Sequence, residues 1–315
     1  LVVFAAALAL WGALTARAAT WDVSVPARSS DNFDTAEFRL WLDDSPENPS
    51  GAAPANALRA LIVLAPGWNG DGRGLAADRA WQQLARELGC GLVGVHLKTD
   101  AVNEGARVYH QADQGSGAAW MAALSRLAQR SGRPEIATLP WMVWGHSAGG
   151  QWAYGLASVY PERMAAFVAV KGGVYETRFN PLARAVPGLF VIGEMDETRR
   201  ATNITELFER ERREGAAWAV AWEARSGHEV GRSGELARSF LREAAALRLP
   251  TTAITAPDGL IRLRVGQGWV GQRSNYTEVA SWPTTAETRV RTVWLPGPES
   301  ARVWRDLGGV MSSDK

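Results

Sequence analysis

Short apolar runs separated by helix-like segments decide what this chain can fold into. Residues 60–65, 92–97, 139–143, 164–170, 189–192 and 218–223 are almost wholly apolar. Runs of this length without alternation are strands buried on both faces. Helical patterns lie between or after them. Residues 75–88 are closed by Gly89, 117–129 by Gly132-Arg133-Pro134, and 151–160 by Pro161. A strongly charged helix covers 204–213 and a terminal one 236–247. Strands alternating with helices imply a mostly parallel sheet covered on both faces. Residues 21–26 and 36–42 alternate in polarity and read as two antiparallel lead-in strands, with a loop rich in Pro, Ser and Asn over 43–56. The chain has 315 residues and is 46% hydrophobic, so one large domain with an appendage fits better than two equal domains.

Reactive groups in such a sheet gather at the carboxyl ends of the strands. The run ending at Val143 leads into Trp144-Gly145-His146-Ser147-Ala148-Gly149-Gly150. Strand, Gly-x-Ser-x-Gly, helix is the context of a nucleophile elbow. So tight a turn pushes its central residue out, and any side chain at Gly145 or Gly149 would crowd the neighbouring helix or strand. Ser147 is therefore read as a nucleophile rather than as part of a plain Gly-Ser turn. Asp196 follows the run ending at Ile192, and His228 follows the run ending at Glu223. A serine hydroxyl needs an adjacent base, imidazole titrates near neutrality, and a carboxylate holds that imidazole in one tautomer.

Serine, then acid, then histidine is the chain order of the α/β-hydrolase superfamily, which residues 58–248 resemble. The likeness is to secreted bacterial esterases of the polyhydroxyalkanoate depolymerase and feruloyl esterase kind. It is carried by Gly145 to Gly150, the Gly193-x-x-Asp196 step and the isolated Gly227-His228. The resemblance implies an α/β-hydrolase fold: a mostly parallel central sheet with helices on both faces, a minimal lid and a small β-rich C-terminal extension. It also implies a serine ester hydrolase, with Ser147 as nucleophile, His228 as base and Asp196 as orienting acid. Glu194 and Glu197 stand in the same cluster as Asp196, so the choice of acid stays open among the three. His96 lies inside an apolar run and reads as core or pocket lining, and His110 lies in a loop expected to border the site but precedes the nucleophile in sequence. The family's oxyanion hole takes one N–H from the residue after the nucleophile, here Ala148. The second comes from the turn Pro66-Gly67-Trp68-Asn69-Gly70, where many relatives carry His-Gly; alignment assigns it to Trp68, with Asn69 as the alternative. Trp68 and His146 are expected to line the substrate, although the His146 side chain points away from that of Ser147.

Fifteen tryptophans against five tyrosines invite an aromatic pocket, but core packing is the expectation for most of them. Segment 171–188 is too short for a large lid, and an open site suits bulky or polymer-linked esters. Lys171 is expected as a solvated residue at a strand end, with contact to an acidic substrate group as the alternative. Arg178, Arg199 and Arg200 are candidates for carboxylate recognition.

Lys and Arg total 34 and Asp and Glu 33, a balance that argues against nucleic acid or an anionic membrane as main partner. No His or Cys cluster has metal-ligand spacing, and neither metal nor cofactor is expected. The single cysteine, Cys90, opens an apolar run and reads as a core residue. Residues 1–18 end in Ala16-Arg17-Ala18 and read as a signal peptide. A secreted or periplasmic bacterial protein without stable membrane insertion is then expected. Residues 19–250 are assigned to the catalytic domain and 251–315 to an extension packed on it, with strands over 259–270 and 289–295 and a short helix over 301–307. A small carbohydrate-binding module is the alternative for this tail. Two other functions compete with ester hydrolysis: a peptidase or amidase on the same triad, and a catalytically silent binding protein on this scaffold.

Overall fold

The apolar runs all become strands at the centre of the molecule. The computed structural model describes residues 19–43, 58–100, 108–251, 259–264, 266–278 and 282–308. The segment read as a signal peptide lies outside them. Two lead-in strands, β1 (Ala19–Ser24) and β2 (Thr35–Leu42), precede β3 (Ala60–Ala65), α1 (Arg79–Leu88), β4 (Cys90–Lys98) and α2 (Ser116–Ser131). β5 (Trp141–His146), α3 (Ala148–Val159), β6 (Met164–Val170), β7 (Gly188–Gly193), α4 (Thr198–Arg213), β8 (Trp218–Glu223) and α5 (Ser233–Arg248) complete the main body.

The eight strands form one sheet in the order β1-β2-β4-β3-β5-β6-β7-β8. β1 and β2 are antiparallel to each other, and β2 is antiparallel to β4; the remaining neighbours are parallel. Every residue of β3, β6 and β7 is buried. Both faces are covered, as the two tryptophans of β5 demonstrate. Trp141 and Trp144 are three residues apart and so point to opposite faces. Trp141 meets Trp120 of α2, and Trp144 meets Trp81 of α1, each with ring centroids 5.6 Å apart. Trp120, Trp141, Trp152 and Trp218 are among the largest fully buried side chains, so the tryptophan excess is mainly core. Cys90 is buried too, and burial pushes its thiol up to about 12.

Helix ends follow local chemistry. Asp78 caps α1, its Oδ1 accepting from Ala80 N (2.9 Å) and Trp81 N (3.0 Å), which is why the helix starts after the 3-10 turn at 73–77 rather than at 75. Gly89 (φ +65°) ends it in the left-handed conformation. Between β6 and β7 the chain makes only a 3-10 turn, Pro181–Ala185, with no α-helix inserted.

The described tail holds a two-stranded antiparallel sheet, β9 (Trp269–Gln272) with β10 (Thr292–Leu295), and two helices, α6 (Ala286–Val290) and α7 (Pro298–Gly308). Strand structure starts only at Trp269, later than the alternation over 259–270 suggested. Residues 286–290, partly expected as strand, are helical because Thr285 and Thr288 form a reciprocal capping box. The tail shares its apolar core with the main body. Two groups on the backbone of β8 are taken by tail side chains: Trp304 Nε1 donates to the Val220 carbonyl (2.9 Å), and Trp222 N donates to Tyr276 Oη (3.4 Å). Glu243 of α5 caps α7 by accepting from Glu299 N (2.9 Å) and Ser300 N (2.8 Å). No described helix is long and apolar enough to cross a membrane.

Candidate active site

The site lies at the carboxyl ends of β3, β5, β6, β7 and β8. Ser147 joins β5 to α3 with φ +53° and ψ −121°, a conformation that non-glycine residues adopt at a cost. Its neighbours show why the motif needs glycine. A Cβ on Gly145 would sit 2.1 Å from the Gly149 backbone, and one on Gly149 would sit 2.2 Å from the Ala65 carbonyl oxygen. β5, α3 and the end of β3 thus meet at bare backbone. Ser147 N donates to the Val170 carbonyl (2.7 Å), which fastens the turn to β6.

The structure brings Ser147, His228 and Asp196 into one line. His228 Nε2 lies 2.9 Å from Ser147 Oγ, and Nδ1 lies 2.8 Å from Asp196 Oδ2. In the tautomer that a carboxylate partner selects, Nδ1–H donates to Asp196 and Nε2 accepts from the serine hydroxyl. The Asp196 side chain is almost wholly buried; its Oδ1 accepts from Glu197 N (2.8 Å) and pairs with Arg200 Nε at 3.5 Å. The other two carboxylates of the cluster are elsewhere. Glu194 accepts from Arg225 N (2.9 Å), and Glu197 is exposed beside Arg199 and Arg200.

Two backbone N–H groups stand free near the serine. Ala148 N opens α3, where the first N–H groups have no intrahelical partner. Trp68 N belongs to the turn after β3, and a Cβ on the preceding Gly67 would lie 3.5 Å from Ser147 Cβ. Neither N–H has a hydrogen-bond partner among the described residues. The Gly67 carbonyl accepts from Gly70 N (3.0 Å) and Tyr109 Oη (3.4 Å). Carbonyl and N–H of a trans peptide point opposite ways, so these bonds aim the Trp68 N–H away from Gly70 and Tyr109. Asn69, the alternative donor, is occupied. Its N–H donates to Tyr109 Oη (3.2 Å), and its side chain exchanges two 3.0 Å bonds with the backbone of Thr99. Trp68 is 41% exposed, and its indole stacks on Tyr109 with centroids 5.3 Å apart.

His146 is tied to the histidine loop. Its Nε2–H donates to the His228 carbonyl (2.6 Å), and its ring lies 5.2 Å from that of His228. Burial holds its pKa below the ordinary histidine value. It therefore serves the histidine loop, and its Nδ1 edge also faces the turn after β3, where a Cβ on Gly67 would lie 3.4 Å from it. His110 borders the Trp68 edge at 6.2 Å and accepts from Gln151 Nε2 (3.2 Å); burial pushes its pKa down to about 4. His96 faces Glu37 at 3.0 Å, away from the triad.

Lys171 contradicts the reading of a solvated strand-end lysine. It is wholly buried, because the loop after β8 folds over the end of β6 and supplies its acceptors. Of the arginine candidates, Arg200 sits against Asp196, whereas Arg178 and Arg199 are exposed. Sequence reasoning did not single out Tyr109, Glu223 or Glu229. Glu229 accepts from Ser226 Oγ (2.5 Å) and Gly227 N (3.1 Å), and the Ser226 bond foremost holds its carboxyl near 2. Among the described residues no group of three His, Cys, Asp or Glu side chains is arranged to hold a metal ion.

No family model matches the sequence, and no curated protein does. Solved structures do match. An S-formylglutathione hydrolase from Agrobacterium tumefaciens is 14% identical with a TM-score of 0.51, over 73% of this chain and 95% of that one. A ferulic acid esterase is 12% identical with a TM-score of 0.50, over 73% and 98%. A poly(3-hydroxybutyrate) depolymerase from Bordetella parapertussis is 18% identical with a TM-score of 0.47, over 75% and 91%. The likeness is one of architecture, and with the strand order and the turn at Ser147 it identifies the chain as an α/β-hydrolase fold.

Proposed function

We propose that the chain is a secreted or periplasmic serine hydrolase that cleaves carboxylic esters through an acyl-enzyme. The observation that carries this reading is the continuous line Asp196–His228–Ser147, with contacts of 2.8 and 2.9 Å, ending on a strained serine. His228 takes the hydroxyl proton as Ser147 Oγ attacks the ester carbonyl, and Asp196 stabilises the imidazolium. The N–H groups of Ala148 and Trp68 meet the oxyanion of the tetrahedral intermediate. His228 then gives its proton to the leaving alcohol, and water repeats the sequence on the acyl-enzyme.

The substrate is a bulky or polymer-linked ester. Support comes from the short link between β6 and β7, which carries no helical lid, and from the Trp68 indole, exposed beside the nucleophile and stiffened by Tyr109. The solved structure of a ferulic acid esterase shares the fold. Export rests on the apolar residues 1–18.

The test is hydrolysis of p-nitrophenyl acetate and butyrate, methyl ferulate and a polyester film by the chain and by Ser147→Ala. Turnover present in the first and absent in the second is the expected result. Equal turnover in both would remove the serine mechanism, and preference for emulsified long-chain triglyceride would remove the open-site substrate class.

A further inference from the structure

A buried cation stands behind the histidine loop and takes no part in the proton transfers. Lys171 follows β6 with φ +53°, a second strained non-glycine residue at the end of a central strand. An ammonium has three N–H donors and accepts nothing. Here two acceptors take its protons, Ser226 Oγ at 2.6 Å and the Glu229 carbonyl at 2.6 Å, and Glu223 Oε2 pairs with its charge at 2.9 Å. Ser226 and Glu229 bracket His228 in sequence. Glu223, itself buried, also accepts from Arg232 N, where the loop enters α5. The fit is close: a Cβ on Gly193 would lie 2.3 Å from the Gly227 carbonyl oxygen and 3.1 Å from Lys171 Cε.

A charge so buried is a poor source of stability, since desolvation offsets much of the attraction within the pair. What it supplies is position. The loop carries the base, and its height above β6 sets the two distances His228 must keep, to Ser147 and to Asp196. We propose that Lys171, charge-paired with Glu223, is the positioning residue for His228, acting through Ser226 and Glu229 on either side of it. The proposal rests on the serine-hydrolase reading of the triad. A shift of the base by about 1 Å costs on the order of 10²-fold in rate.

The test compares the full chain with Lys171→Met/Glu223→Gln. This pair of changes leaves no unpaired buried charge and keeps an acceptor for Arg232 N. The expected variant unfolds cooperatively like the parent, loses about 10²-fold in kcat with KM little changed, and loses the downfield proton resonance of His228 Nδ1–H in the NMR spectrum. Ser226→Ala removes one acceptor of Lys171, together with the hydroxyl's own bond to Glu229, without touching the charge pair, and is expected to show a smaller loss of the same kind. A folded double variant with parental kcat and an unchanged resonance would overturn the proposal, as would parental values in Ser226→Ala if the double variant does not fold. The resonance is read without substrate, so it judges the positioning role even if no ester is turned over, and Ser147→Ala judges the reaction separately.

Discussion

The imidazole of His146 donates to the backbone carbonyl of His228 at 2.6 Å, so the residue before the proposed nucleophile holds the histidine proposed to activate it. Phe at position 146 keeps a ring against His228 and removes only the N–H. One hydrogen bond is worth about 1 kcal/mol, and its loss at the proposed base is expected to lower kcat by about fivefold while KM stays near the parent's. Steady-state kinetics of His146→Phe measure this. A raised KM with unchanged kcat would instead mark His146 as a substrate contact.

Asp196 is served by neither of its acidic neighbours. Glu194 is committed to Arg225 N, and Glu197 is exposed. Asp196→Asn is therefore expected to lose about 10³–10⁴-fold in kcat, because an amide favours the wrong imidazole tautomer. Loss of less than about tenfold in the same assay would mean that Glu194 or Glu197 can replace it.

Tyr109 holds the turn after β3 in two ways: its ring stacks on Trp68, and its hydroxyl accepts from Asn69 N and donates to the Gly67 carbonyl. Tyr109→Phe keeps the ring under Trp68 and frees the peptide that carries the Trp68 N–H. The interaction it supports exists only with the oxyanion, so kcat and kcat/KM should fall together, by about tenfold. A change confined to KM would assign Tyr109 to substrate binding through the indole.

His110 makes stability depend on pH. Its pKa is lowered from 6.5 to about 4 by burial, so between these values the unfolded chain binds a proton that the folded chain refuses. Its contribution is present above about 6.5 and is lost as pH falls to about 4, on the order of 3 kcal/mol in all. Urea unfolding of the parent across that window should show the slope, and His110→Gln should flatten it. An unchanged slope would place the titration elsewhere.

Much of the scaffold was legible in the sequence because burial on both faces leaves a mark that polar residues cannot imitate. The runs 60–65, 164–170 and 218–223 coincide with β3, β6 and β8. The first turns of α4 and α5 escaped because they are polar, and the first turn of α4 is the one that brings Arg200 to Asp196. Ser147 was legible through its glycines, each of which answers a backbone contact. Lys171 was not, since its acceptors come from positions 223 to 229, far along the chain. The partner of His146 is a main-chain carbonyl, which every residue possesses and no sequence pattern advertises.

The way the tail meets β8 determines where the sheet stops growing. An outermost strand offers unpaired backbone groups that recruit strands from other molecules. Here an indole and a phenol occupy two such groups, at Val220 and Trp222, in place of a ninth strand. A chain cut before the tail would leave both groups without these partners. The tail thus finishes that border of the sheet with side chains remote from any chemistry.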